Sequence, residues 1–166
     1  MSASHALELL LADEAATEAL GAALARALPP ASPAPLWLAL QGELGAGKTT
    51  LARALLRALG ECGPVRSPSY TLLEPYELPD WSVRHLDLYR LSDPSEVQAL
   101  GVRDELQPGT LWLVEWPERG AGQLPPPDLH VCLVERGPVA GRTARICAQS
   151  SAGVAWLGTL SVSCSA

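Results

Sequence analysis

Residues 42–49 read Gly-Glu-Leu-Gly-Ala-Gly-Lys-Thr, which satisfies the spacing G-x-x-x-x-G-K-[ST]. The chemistry open to such a segment is capture of a phosphate tail. Glycines let backbone N–H groups turn inward around phosphate oxygens, because a Cβ would block both the dihedral angles and the approach. A helix beginning at Lys48 adds the partial positive charge of its N-terminus. Lys48 is placed to bridge the terminal phosphates, and the Thr49 hydroxyl to take one position in the octahedral shell of Mg²⁺. Thr50 can add a further phosphate hydrogen bond. ATP and Mg²⁺ are the ligands this arrangement implies.

Hydrolysis requires in addition an acidic group near the metal and a group that orients the attacking water. Two carboxylates compete for these tasks. Glu115 ends the apolar run Leu111-Trp112-Leu113-Val114, the place of an acid at the carboxyl end of a strand beside the phosphate-binding strand. Asp87 lies between Leu86 and Leu88, so on a strand it projects opposite to them. A carboxylate inside an apolar strand needs a cation or hydrogen bonds to offset its desolvation. His85 shares that face and reads first as a packing or hydrogen-bonding residue. Arg66, Arg90 and Arg142 could each bring charge to a transition state, and spacing does not choose among them.

The elements that must position these groups follow from local pattern. Ala6 to Leu11 reads as a short strand, and Asp13 offers a cap to a helix whose buried stripe is Ala16, Leu20, Ala23, Leu24, Ala27 and Leu28. Pro29 and Pro30 end it, and the loop Ser32-Pro33-Ala34-Pro35 leads into a uniformly apolar strand, Leu36 to Leu40. A helix from about Lys48 to Leu59 follows the glycine-rich turn, with Gly60 to stop it. Tyr70 to Leu78 and Ser82 to Tyr89 suit an antiparallel hairpin. Asp93-Pro94-Ser95-Glu96 is a helix start closed by Gly101.

Leu111 to Val114 predicts a second buried strand, Glu118 to Asp128 an irregular surface loop, and Leu129 to Val134 with Thr143 to Ala148 a late strand pair. Residues 1–150 thus form one expected domain. Residues 151–166 form a C-terminal segment, with a weakly ordered tail expected beyond Leu160.

Bulk properties narrow the class. A chain of 166 residues can bury a core of its own without metal or disulfide staples. Apolar runs are all too short to span a bilayer, and Glu8, Asp13 and Glu14 interrupt the N-terminal leucines, so neither a membrane span nor export is expected. Cys62, Cys132, Cys147 and Cys164 form no metal-ligand spacing and read as buried free thiols of a reducing compartment, the cytoplasm. A net charge of −6 argues against a protein that grips a polyanion directly.

Beyond the phosphate loop, Ser67-Pro68-Ser69-Tyr70-Thr71-Leu72, His85-Leu86-Asp87-Leu88-Tyr89-Arg90-Leu91, Glu115-Trp116-Pro117-Glu118 and Gly141-Arg142 follow in order. Together with Gly42 to Thr50 this set closely resembles the TsaE (YjeE) family, over roughly Leu11 to Ala148. The resemblance implies an α/β, P-loop NTPase-like fold: a mixed, mainly parallel sheet flanked by helices, carrying the antiparallel hairpin.

It also implies a weak ATPase, activated in a complex with the TsaD and TsaB proteins and supporting threonylcarbamoyladenosine formation in tRNA, with TsaC supplying the threonylcarbamoyl-adenylate. The tRNA would be met only through the complex, and the isolated chain would be a monomer. By position, Thr49 and Glu115 resemble the Mg²⁺ ligands, Gly45, Ala46, Gly47, Lys48, Thr49 and Thr50 the phosphate cradle, and Glu14 and Arg142 further nucleotide contacts. Asp87 resembles the acid near the γ-phosphate, with Lys48 beside it in catalysis and Ser67 to Tyr70 as a switch-like loop. Ser69 stands where the family usually has Thr, which keeps the hydroxyl and loses a methyl. Two other readings use the same loop: a small-molecule kinase of shikimate-kinase type, and an ATP-sensing interaction module without turnover.

Overall fold

The apolar run beginning at Leu36 lies at the centre of the molecule, where both faces of a strand are covered and no polar alternation is needed. The computed structural model describes residues 5–30, 32–105 and 107–161. Along the chain these form β1 (Ala6–Leu11), α1 (Glu14–Arg26), β2 (Leu36–Gly42), α2 (Lys48–Ala58), β3 (Leu73–Glu77), β4 (Ser82–Asp87), α3 (Glu96–Ala99), β5 (Thr110–Glu115), β6 (Leu129–Glu135), β7 (Arg142–Ala148) and α4 (Ser151–Thr159). Short 3-10 turns at Val102–Glu105 and Pro117–Gly120 follow α3 and β5.

The strands form one sheet in the order β1-β7-β6-β2-β5-β4-β3. Its centre is parallel, β2 pairing with β5 and β6, and β4 with β5. Both flanks are antiparallel: β3 folds back on β4, and β7 lies between β6 and β1. The parallel centre and the hairpin match expectation. What alternation alone does not reveal is that β4 serves both, as hairpin strand and as parallel neighbour of β5. The carboxyl ends of β2, β5 and β4 therefore lie side by side, with Glu115 opposite both Leu40 and Asp87. Open α/β sheets bind ligands at that edge.

One face of the sheet carries α1, α2 and α4 over a core that includes Leu20, Leu24, Leu38, Leu51, Leu55 and Leu113. Burying each such leucine contributes about 1.5–3 kcal/mol. The α1–α2 crossing is close because of Gly21, where an added Cβ would fall 2.4 Å from the Leu51 carbonyl oxygen. On the other face Trp37 and Trp112 stack at 4.9 Å beside Leu86, Leu88 and Val97.

The segment after Gln149 is more structured than its small-residue composition predicts. Ser150 caps α4 by accepting from the Gly153 N–H at 3.0 Å. Trp156 is fully buried, and its Nε1–H donates to the Leu24 carbonyl at 2.9 Å. Thr159 donates to the Ala27 carbonyl at 2.9 Å. Residues 151–159 are thus part of the packed body, and Trp156→Ala should cost about 3–5 kcal/mol. The tail expected beyond Leu160 falls mainly on residues 162–166, outside the described residues.

Smaller differences have local causes. β3 begins at Leu73 rather than Tyr70, since Leu72 takes a left-handed φ of 63° that ends a turn. β4 stops at Asp87, whose side chain accepts from the Tyr89 N–H at 3.0 Å and bends the chain away. Asp93 accepts from the Ser95 N–H at 2.8 Å, so α3 starts two residues late, while Glu96 does reach back to the Asp93 N–H at 2.8 Å. Among the described residues the thiols are not buried: Cys62 is exposed, and Cys132 and Cys147 are half-buried on a face of β6 and β7 that the helices do not cover, while Cys164 lies outside the described residues.

Candidate functional site

Strand β2 delivers the chain into the phosphate loop, and α2 takes it out again with Gly47 as the N-terminal cap. Gly47 has φ +103°, a backbone state that L side chains rarely adopt, and a Cβ there would sit 1.9 Å from Nη1 of Arg142. Conformation sets the main requirement for glycine here, since the Arg142 guanidinium is the end of a flexible side chain and any other residue would be strained at this φ. Lys48 Nζ donates to the carbonyl oxygens of Gly42 at 2.6 Å and Glu43 at 2.8 Å. The same ammonium lies 4.0 Å from the centroid of the Trp116 ring. Burial lowers the pKa of Lys48 from 10.5, an effect that the Glu115, Glu118, Asp87 and Glu43 carboxylates oppose.

Glu115 and Asp87 face α2, since Leu86 and Leu88 pack on the opposite side of the sheet. Glu115 is 1 % exposed. Its Oε2 accepts from the Thr49 hydroxyl at 2.9 Å, and its Oε1 pairs with His85 Nε2 at 2.8 Å. Asp87 is 4 % exposed. Its Oδ2 accepts from the hydroxyls of Ser67 and Ser69, the latter at 3.2 Å, and the two serines are 2.9 Å apart. The serine that departs from the family pattern thus keeps its hydrogen bond.

These groups line a cleft of about 280 Å³ bounded by Leu44, Gly45, Gly47, Lys48, Thr49, Thr50, Ser67, Ser69, Asp87, Tyr89, Glu115 and Trp116. Nine of the residues singled out in the sequence meet there: Gly45, Gly47, Lys48, Thr49, Thr50, Ser67, Ser69, Asp87 and Glu115. Ala46 turns its methyl into the core, and its carbonyl accepts from Arg142 Nη1 at 2.6 Å, so Arg142 stands behind the loop and braces it. Glu14 is exposed at the first position of α1 and is not part of the cleft lining; Thr17, one turn on, is the α1 residue packed near Gly47. Arg66 is exposed and Arg90 lies over the Tyr70 ring at 4.3 Å, both off the cleft lining.

Trp116 and Tyr89 also line the cleft, a placement that no local sequence pattern predicts. Trp116 adopts φ 57°, an uncommon state for a bulky residue, immediately before Pro117. That strain places its ring beside Lys48 and 5.0 Å from Tyr89. The dipeptide Trp116-Pro117 directly after the strand-end acid marks irregular backbone, but the extended state favoured before proline is not the left-handed one Trp116 adopts.

The corner where Thr49 meets Glu115 offers oxygen only: Thr49 Oγ1 and Glu115 Oε2, with Asp87 near by on the cleft wall. That donor set suits Mg²⁺, which is held by one or two protein oxygens together with substrate phosphates and water. Among the described residues no group of three or more His, Cys, Asp and Glu could hold a metal without such help. No helix among them is long and apolar enough to cross a membrane.

Comparison with known proteins gives the family and the fold. The family described as "Threonylcarbamoyl adenosine biosynthesis protein TsaE" matches residues 11–144. Proteins named "tRNA threonylcarbamoyladenosine biosynthesis protein TsaE" are similar over shorter or longer stretches. That of Haemophilus influenzae is 48 % identical over 92 residues, 55 % of this chain and 58 % of the relative. That of Rickettsia felis is 37 % identical over 126 residues, 75 % and 71 %. That of Synechocystis is 40 % identical over 119 residues, 69 % and 73 %. The chain thus spans less than two thirds of the Haemophilus protein. In fold it resembles the crystal structure of Bacillus YdiB, with a TM-score of 0.74, 23 % identity and coverage of 96 % and 97 % of the two chains. On the match over residues 11–144, which takes in the phosphate loop and both strand-end carboxylates, this chain belongs to the TsaE family.

Proposed function

We propose that this chain is an Mg²⁺-dependent ATPase of threonylcarbamoyladenosine formation in tRNA, acting with the TsaD and TsaB proteins in the cytoplasm. One observation carries the reading: a hydroxyl of the phosphate loop, Thr49 Oγ1, lies 2.9 Å from the strand-end carboxylate of Glu115. Loop, hydroxyl and acid are the set that phosphoryl-transfer sites of this kind require. Amides of residues 45–50 would hold the phosphates, and Lys48 would exchange its two carbonyl partners for phosphate oxygens. Thr49 and Glu115 would hold Mg²⁺, which supplies positive charge against the phosphates. Asp87, held by Ser67 and Ser69 at the cleft wall, would orient the attacking water. Arg142 would keep the loop in shape through Ala46 rather than meet the nucleotide itself. Hydrolysis would support the transfer cycle and not form the bond to the base. With a net charge of −6, the chain would leave the grip on tRNA to its partners.

Calorimetric titration of ATP with Mg²⁺ into the wild type and Lys48→Ala tests the site. Two charge-assisted hydrogen bonds to phosphate are at stake, so a loss of affinity of about 100-fold or more is expected, with the far-ultraviolet spectrum unchanged. Equal affinity in the two proteins rules the reading out. ADP release measured with and without TsaD and TsaB separates an ATPase from a module that only senses ATP, since only the first gains turnover in the complex.

A further inference from the structure

His85 is a buried polar residue that the cleft does not use directly. It lies in β4, is fully buried, and does not line the cavity. An imidazole in the interior of a sheet costs free energy unless its hydrogen bonds are made. Nε2 makes one, to Glu115 Oε1 at 2.8 Å, whereas Nδ1 has no partner among the described residues. Because a carboxylate offers only acceptors, Nε2 carries the hydrogen. The one hydrogen bond of this buried ring is therefore spent on Glu115. A purely structural position would be filled at least as well by an apolar side chain of similar volume, since buried polar pairs rarely add net stability.

The register explains how the contact arises. His85 pairs with Leu113 and Asp87 with Glu115, so His85 sits on the same face as Glu115 and one step deeper along the strands. From there its ring reaches diagonally beneath the carboxylate. Glu115 is then held from both sides: Oε1 by a strand residue below, Oε2 by the first turn of α2. With both oxygens engaged, the plane of the carboxylate is set before any ligand arrives.

We propose that His85 is a positioning residue for the metal corner, its Nε2–H orienting Glu115 so that Oε2 is presented beside the Thr49 hydroxyl. This rests on the ATPase reading above, in which Thr49 and Glu115 hold Mg²⁺. Residues that orient ligands in this way typically change metal affinity about 10- to 100-fold when removed.

The test is a Mg²⁺ titration of ATP binding, followed by calorimetry on the full chain, for wild type, His85→Leu and His85→Gln. The leucine variant removes the donor and keeps an apolar filling. Glutamine restores an N–H at the reach of Nε2. His85→Leu is expected to raise the Mg²⁺ midpoint about 10- to 100-fold and to leave ATP binding without Mg²⁺ intact, and His85→Gln to stay within about threefold of wild type. A wild-type midpoint in His85→Leu overturns the inference. So does an equal loss in both variants that extends to Mg²⁺-free binding, because that is the mark of a packing role. If the wild type itself binds ATP with no response to Mg²⁺, the ATPase reading falls and takes the inference with it, so the two failures are told apart.

Discussion

Asp87 and Glu115 stand opposite each other at the ends of neighbouring parallel strands, yet different kinds of structure hold them. Glu115 is fixed by Thr49 on the first turn of α2 and by His85 inside β4, both within regular elements. Asp87 is fixed by Ser67 and Ser69, which belong to the connection between α2 and β3, and by the backbone of Tyr89. Helices and central strands open only near the global unfolding free energy, whereas connections open at much lower cost. The contrast suits two different tasks. A metal ligand must be in place when the ion arrives, and a group that orients water can be set by a loop that responds to nucleotide or to a partner.

The strongest way to break this comparison is to remove each acid in turn. Asp87→Asn keeps the shape and removes the charge. Turnover of ATP with TsaD and TsaB is expected to fall about 10²- to 10⁴-fold, while the Mg²⁺ midpoint for ATP binding moves less than about threefold. Glu115→Ala should do the reverse at the binding step, raising the Mg²⁺ midpoint by about 100-fold. It should also lower unfolding free energy in urea by about 1–3 kcal/mol, because His85 Nε2 is left buried without a partner. Identical profiles for the two variants would mean that the acids share one task and that their different supports are incidental.

The same contrast decides what could be read from the sequence. The Glu115 corner was legible because local rules place it: a glycine-rich turn, a helix start, and an apolar run ended by an acid. Asp87 was visible as a carboxylate among leucines, but its partners were not, since Ser67 and Ser69 reach it across 20 and 18 residues through a loop without periodicity. The sequence marks His85 as a packing or hydrogen-bonding residue, and its partner depends on the β4–β5 register, which no local pattern encodes. Family resemblance supplied roles for Glu14 and Arg142. Only the three-dimensional arrangement places Glu14 in solvent and Arg142 behind the loop. The helix α4 escaped for another reason: a single tryptophan, Trp156, anchors a segment otherwise made of small residues.

Lys48 sits between the two corners and offers a gentler probe. Burial lowers its pKa from 10.5, so it loses its proton at a lower pH than an exposed lysine would. ATP affinity, which needs the cation, should fall by up to about tenfold per pH unit once the shifted value is passed. Folding stability of the unliganded chain should move the opposite way through the same window. There the unfolded chain still binds a proton that the folded chain has released, so stability rises with pH up to the unfolded value. Calorimetry over roughly pH 8 to 11 on wild type and Lys48→Arg checks this, because a guanidinium stays charged throughout. A parallel decline in both proteins would place the titrating group elsewhere.

The smallest effect should come from Ser67→Ala, and its smallness is informative. The variant removes one hydroxyl from Asp87, but Ser69 remains at 3.2 Å and the Tyr89 N–H at 3.0 Å. One net hydrogen bond is worth about 0.5–1.5 kcal/mol, so turnover in the complex should drop about threefold to tenfold, far less than in Asp87→Asn. The Mg²⁺ midpoint should not change, because no atom of the Glu115 corner is touched. A loop that holds its carboxylate through two neighbouring hydroxyls can lose one and still close. If Ser67→Ala were instead as damaging as Asp87→Asn, the connection would be as exacting as the strand beside it, and the division between a fixed and an adjustable acid would not stand.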